Sequence, residues 1–228
     1  MKYILKSSKE IFITYLLSYL IIILVAAIYT LFGYKDLTTF INSKGAIILI
    51  IFYILTTIYL YKKNYKKENS LPKKSYLPLI ILGTSIACFL NMIIFLLYPP
   101  KTIVVPDLIT SISSSIIGPI YEEILFRYIL YNRLKDKYSI TKSIIITTII
   151  FAIIHLSPIK IVYAFILGII LNIAYNKYNN IIAPILIHIS ANSIVLLLHE
   201  YNTYIFLLSI ICLLLSIKIN TNIKMNNR

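Results

Sequence analysis

The 228-residue sequence has no tryptophan, two cysteines, five glycines and few charges, with Asp, Glu, Lys and Arg making up only 13% of it. So small a charge complement excludes an ordinary soluble domain, whose surface needs many more ionised side chains. The cysteines, Cys88 and Cys212, each lie inside an apolar run, and no C-x-x-C or Cys/His spacing is present. That excludes a cysteine-based metal centre and gives no basis for a disulfide. There is no Gly/Ser linker and no internal repeat, so a single domain is expected. The missing tryptophan carries no functional conclusion.

What is abundant is apolar: 59% of the residues are hydrophobic and the mean hydropathy is +0.86. The apolar runs read as each long enough to cross about 30 Å of hydrocarbon at a rise of about 1.5 Å per residue. The fold class expected is therefore all-α, a polytopic membrane protein of about eight transmembrane helices. The spans read as Ile11 to Phe32, Ala46 to Tyr61, Leu77 to Tyr98 and Asp107 to Tyr131, then Ser143 to Leu156, Ile159 to Tyr175, Asn180 to Leu198 and Thr203 to Ile217. The fifth of these is short. Within one membrane domain, residues 1–106 hold the first three helices, 107–198 the chemically interesting helices 4 to 7, and 203–228 the last helix and a tail. Lys2, Lys6 and Lys9 precede a first run too long for a secretory signal and lacking a small-residue cleavage site, so an uncleaved helix is expected.

The formal net charge of +14 does not point to nucleic acid, because the basic residues flank hydrophobic runs and form no Gly-rich or amphipathic basic surface. Membrane topology explains them better. A cytoplasmic N-terminus puts Lys2, Lys6, Lys9, Lys62, Lys63, Lys66, Lys67, Lys73, Lys74, Arg133, Lys135, Lys137, Lys142, Lys177, Lys218, Lys224 and Arg228 inside. Only Lys35, Lys44, Lys101 and Lys160 then lie outside, the bias that the positive-inside rule describes. Both termini are therefore expected in the cytoplasm. The basic connector from Lys62 to Ser75 reads first as a topology signal and second as a contact for anionic lipid headgroups.

Arg127 is the one basic residue inside a span, and it has polar company. The fourth span carries Glu122, Glu123 and Arg127 in GPIYEEILFR, the fifth Phe151 and His155 in FAIIH, and the seventh His188 and Asn192 in HISAN. Charge buried in hydrocarbon costs several kcal/mol unless it is paired or solvated. Glu123 and Arg127 are four apart and share a helix face, so they can pair. Glu122 points about 100° away, which leaves it as the carboxylate without a built-in counter-ion and a candidate general base. His188 and Asn192, also four apart, offer an imidazole and a carboxamide to one point and suit an oxyanion. Phe151 can pack beside His155. Counted from the cytoplasmic ends of their spans, all three groups fall about 12 to 20 Å deep. Pro119 after Gly118 is expected to kink the fourth helix and could open a water path; a packing kink is the equal alternative.

Glu-Glu-x-x-x-Arg, then Phe-x-x-x-His, then His-x-x-x-Asn, on successive membrane helices, resembles the CPBP family, also called the Abi or CAAX prenyl-protease type II family. The likeness runs from Gly118 to Asn192 and every motif position is present. It implies an intramembrane endopeptidase with its active site between helices 4, 5 and 7. Glu122, assisted by His155, would activate water, His188 and Asn192 would stabilise the tetrahedral oxyanion, and Glu123 with Arg127 would hold the geometry. Family members act in CAAX processing, peptide maturation and bacteriocin immunity. The resemblance thus implies an integral protein of a bacterial plasma membrane acting on membrane-embedded or membrane-associated peptides or proteins. No cofactor is expected. A zinc-dependent version would draw on Glu122, His155 and His188, but Asn192 is a poor zinc ligand and H-E-x-x-H is absent.

Two readings from other classes stand beside this one. Intramembrane Glu and His also mark proton-coupled transporters, which usually show inverted repeats and broken helices in both halves; here the motif residues lie in the second half. A non-catalytic immunity or scaffold protein would keep the fold without the chemistry.

Overall fold

The computed structural model describes residues 2–32, 44–99 and 106–223. Lys35, Lys101, Lys224 and Arg228, which entered the topology count, lie outside the described residues. Among the described residues there are eight helices: α1 Lys2–Leu31, α2 Ala46–Lys63, α3 Tyr76–Leu97, α4 over residues 108–135, α5 Ile140–Ile153, α6 Pro158–Tyr178, α7 Ile182–Val195 and α8 Thr203–Asn222. The protein is all-α and polytopic, as the hydropathy implies.

Helix ends depart from the hydropathy boundaries for identifiable reasons. α1 begins at Lys2, well before Ile11, because backbone hydrogen bonding continues through the polar residues that precede the apolar run. α6 and α8 likewise run on to Tyr178 and Asn222. α7 is shorter than expected, because Leu196, Leu197 and Leu198 each bond back three residues, tightening the last turn out of α-geometry. α1, α2, α3, α6 and α8 are long and apolar enough to cross a membrane, whereas α5 and α7 have 14 residues each, about 21 Å at 1.5 Å per residue.

α4 is not one uniform helix. Asp107 caps its start, accepting from the backbone N–H groups of Ile109 and Thr110 at 2.9 and 3.0 Å. A π-helical stretch at Ser113–Ile117 then gives way to α-helix at Gly118–Glu123, with Pro119 in its first turn, and to a second π-helical stretch at Ile124–Tyr131. The break expected at Gly118 and Pro119 therefore takes the form of a change in winding. π-Stretches are rare and recur at functional sites, and here one of them carries Arg127.

The chain divides into two compact units that interleave in sequence, one of residues 1–65 with 105–137 and the other of residues 66–104 with 138–228. In the first unit α2 packs on α4 and α1 packs on both. Its polar end is held by Arg133, which donates to Glu10 at 2.7 Å, to Asn64 at 3.0 Å and to the Ser7 carbonyl at 3.3 Å. Lys63 donates to the other Glu10 oxygen at 3.0 Å. Segments expected on one side of the membrane thus meet at one end of the unit.

In the second unit α3 is the central element, packed against α7 and α8, while α7 also meets α6 and α6 pairs with α5. The core gathers Leu79, Ile86, Leu90, Leu171, Ile187 and Ala191. Asn172 is fully buried and donates to Thr148 at 3.1 Å, tying α6 to α5. At one end the Tyr178 hydroxyl donates to Asn220 at 2.9 Å and the Asn220 amide donates to the Pro78 carbonyl at 3.2 Å, joining α6, α8 and α3. The Lys177 ammonium bonds the Asn220 carbonyl.

At Gly83, α3 and α7 approach closely. A Cβ there would lie 2.1 Å from both the Ile187 carbonyl oxygen and the Ser190 hydroxyl. Small residues permit such backbone approach between membrane helices. Gly83→Ala should lower the melting temperature by about 2–12 °C, the usual range for overpacking a domain of this size. Adding Ser190→Ala should not restore it, since the Ile187 carbonyl is backbone; an unchanged melting temperature in Gly83→Ala would contradict the close approach.

The loop before α3 is clamped onto the turn that leads into α7. The Asn69 N–H donates to the Asn179 carbonyl at 3.0 Å, the Asn180 amide donates back to the Asn69 carbonyl at 2.6 Å, and the Ile181 N–H donates to Glu68 at 3.0 Å. Asn179 itself closes α6 in the left-handed conformation, φ 45°. Burial pushes the Glu68 carboxyl up to about 7, against the opposing bonds from Ile181 and Tyr175. Its folded-state pKa exceeds its unfolded one, so this contribution to stability is complete below the ordinary carboxylate range and is lost as pH rises through about 7. Melting temperature should therefore fall less between pH 5 and pH 8 in Glu68→Gln than in the wild type; parallel curves would contradict it.

Candidate active site

The acidic half of the motif lies on α4, in the first unit. Glu123 and Arg127 are both fully buried and form an ion pair at 2.7 Å. The i,i+4 pairing anticipated from sequence is thus made, with the guanidinium held inside the π-helical stretch. Neighbouring side chains on this stretch, Leu125, Phe126 and Tyr128, are buried too, so the pair is screened from water and its mutual attraction is strong. Glu122 is partly exposed, in contrast to Glu123. Adjacent carboxylates therefore occupy different surroundings, one locked and dry, the other accessible.

An aromatic group that the sequence did not single out surrounds Glu122. Tyr53 of α2 stacks on Tyr121 with ring centroids 4.3 Å apart, and Tyr15 of α1 lies against Tyr121 at 5.8 Å. Tyr15 and Tyr53 both interact electrostatically with the Glu122 carboxylate. Nothing in the sequence marked them, because 20 tyrosines are spread along the chain. Only the packing of α1 and α2 on α4 selects these two.

The imidazole half lies in the second unit. Phe151, fully buried on α5, meets the His155 ring edge-on at 5.0 Å and the His188 ring at 5.9 Å. One phenyl group thus contacts both imidazoles; from sequence its contact with His155 was expected and its contact with His188 was not. His155 follows the end of α5, in a turn closed by Leu156, whose φ of 59° is left-handed. Such backbone in a branched-chain residue is sparsely populated and clusters at functional sites.

His155 Nδ1 lies 2.9 Å from the Phe151 carbonyl oxygen. A carbonyl can only accept, so the proton of this bond sits on Nδ1, and Nε2 is the nitrogen that can take up a proton. His188 is buried on α7, and Asn192 follows one turn later, partly exposed. A general acid or base of fixed tautomer and a neighbouring pair of imidazole and amide donors are the chemical capabilities of this half. Within either unit, no three His, Cys, Asp or Glu side chains among the described residues are grouped to hold a metal ion.

Residues 104–194 match the family model described as type II CAAX prenyl endopeptidase, Rce1-like. The chain is also 32% identical over 87 residues to YdiL of Bacillus subtilis (strain 168), named as a candidate membrane peptidase. That alignment covers 38% of this chain and 36% of YdiL, so the chain spans about a third of its relative's length. No solved structure matches. The matched segment contains Glu122, Glu123, Arg127, His155, His188 and Asn192, so the likeness of this chain to the type II CAAX prenyl endopeptidase, Rce1-like family lies in the part that carries the motif residues.

Proposed function

We propose that this protein is an intramembrane endopeptidase that hydrolyses peptide bonds of membrane-associated proteins or peptides with glutamate-activated water. The observation that carries the reading is the presence of all six motif residues, at helical spacing and in order, inside the segment matched to the Rce1-like family. Glu122 is the general base: it is the accessible carboxylate of the pair, while Glu123 is committed to Arg127. It removes a proton from water as the water oxygen attacks the scissile carbonyl carbon. His155, presenting Nε2, takes up this proton from Glu122 and passes it to the departing amine. His188 and Asn192 donate to the oxyanion, where preorganised donors in a dry site lower the barrier most.

His188 and Asn192, both suited to hydrogen-bond donation, favour this assignment over zinc, since a carboxamide is a weak zinc ligand. If zinc is required, Glu122, His155 and His188 are the residues that would hold it, and the metal would polarise the scissile carbonyl. The substrate is a peptide segment at or in the bilayer, with a prenylated CAAX-type terminus and a maturing secreted peptide as the two classes that the family suggests. We assign the cytoplasmic side to both termini on the distribution of Lys and Arg.

The test compares membrane-associated peptides, by mass spectrometry, in cells carrying the wild type and Glu122→Gln at equal abundance. Peptides that appear only with the wild type support the reading and identify the substrate; identical peptide sets overturn it. Zinc analysis of purified, active protein separates the two mechanisms.

A further inference from the structure

The Tyr15 hydroxyl is enclosed among side chains and closes no hydrogen bond of ordinary length. A buried phenol O–H left without a partner costs about 1–3 kcal/mol, and such a group in a native fold calls for an explanation. Of the other two phenols around Glu122, Tyr53 engages the Ser18 hydroxyl, whereas the Tyr121 hydroxyl is enclosed like that of Tyr15 and faces Thr14. Tyr15 faces the Glu122 carboxylate and interacts with it. Its ring is fixed by Tyr121 at 5.8 Å and by Phe126 at 6.3 Å, so the hydroxyl has little freedom to turn elsewhere. A polar contact beyond direct bonding distance between an enclosed donor and a carboxylate is the geometry that one water bridges.

We propose that Tyr15, on the first helix and outside the family motif, is a positioning residue that holds the Glu122 carboxylate through a hydrogen bond, direct or by way of one water. The bond occupies one carboxylate lone pair and fixes the rotamer, so that the remaining lone pairs face the reacting water in a single orientation. Since the donor comes from α1, the N-terminal helices do more than anchor the chain: α1 sets the aim of the general base. This inference rests on the proposed role of Glu122.

The experiment uses the purified full-length protein and infrared difference spectroscopy, with no substrate. The carboxyl band of Glu122 is the one lost in Glu122→Gln. In Tyr15→Phe, which keeps the ring and its packing, that band should shift, while in Tyr204→Phe, whose tyrosine is exposed, it should stay in place. In cells, the peptides that depend on Glu122 should fall roughly 10-fold to 100-fold in Tyr15→Phe, the effect of one hydrogen bond to a charged group, with an unchanged melting temperature. A Glu122 band that does not move in Tyr15→Phe overturns the inference. A shifted band without any Glu122-dependent peptide leaves the Tyr15 contact standing and overturns the protease reading, so the two failures are distinguishable.

Discussion

Glu122→Gln should reduce peptide-bond cleavage by about 10²- to 10⁴-fold, the usual contribution of a positioned general base, without altering yield or melting temperature. Glutamine has nearly the size of glutamate and keeps hydrogen-bonding capacity, yet it cannot accept a proton from water at neutral pH. Glu123 cannot take over, because it is fully buried and bound to Arg127 at 2.7 Å. The measurement is the turnover of the peptide identified by comparing wild-type and variant cells. Cleavage at the wild-type rate by Glu122→Gln would remove this residue from the chemistry. Glu123→Gln should behave differently, losing folded protein along with activity.

Arg127→Ala should cost about 3–5 kcal/mol of stability, because it leaves a carboxylate buried without its counter-charge. For a domain of this size that corresponds to a fall in melting temperature of about 6–20 °C, accompanied by a lower yield from membranes. Losing the bulk of a fully buried arginine adds a cavity to this cost. A second variant separates charge from volume. Arg127→Met combined with Glu123→Gln replaces both charges by neutral groups of similar size, and such replacements are often neutral or stabilising. The double variant should therefore recover most of the melting temperature that Arg127→Met alone loses. Equal losses in the single and double variants would show that the ion pair is not what the site depends on.

Much of the fold was legible from hydropathy, because a bilayer imposes a simple rule: every span must satisfy its backbone internally and present apolar side chains. Eight helices among the described residues followed from eight apolar runs, and the i,i+4 spacing of Glu123 and Arg127 anticipated their pairing. Boundaries were less legible. Hydropathy locates the end of hydrocarbon, whereas a helix ends where its backbone finds another partner, as at Asn179 or in the tightened turn after Val195. The change of winding along α4 was also hidden, since a proline marks a break without saying whether the helix bends or takes on π-geometry.

The site divides along the same line. Composition, charge bias and motif spacing determined by themselves that this is a helical membrane protein and which six polar residues to examine, because burying ionisable groups in hydrocarbon is costly and their persistence demands a reason. Tertiary structure alone decided that Phe151 touches both His155 and His188, that Gly83 lets α7 approach α3, and that Tyr15 and Tyr53 are among the tyrosines gathered around Glu122. Those facts depend on how helices distant in sequence rotate and pack against one another. Apolar side chains that read alike on every face of a span do not encode that rotation.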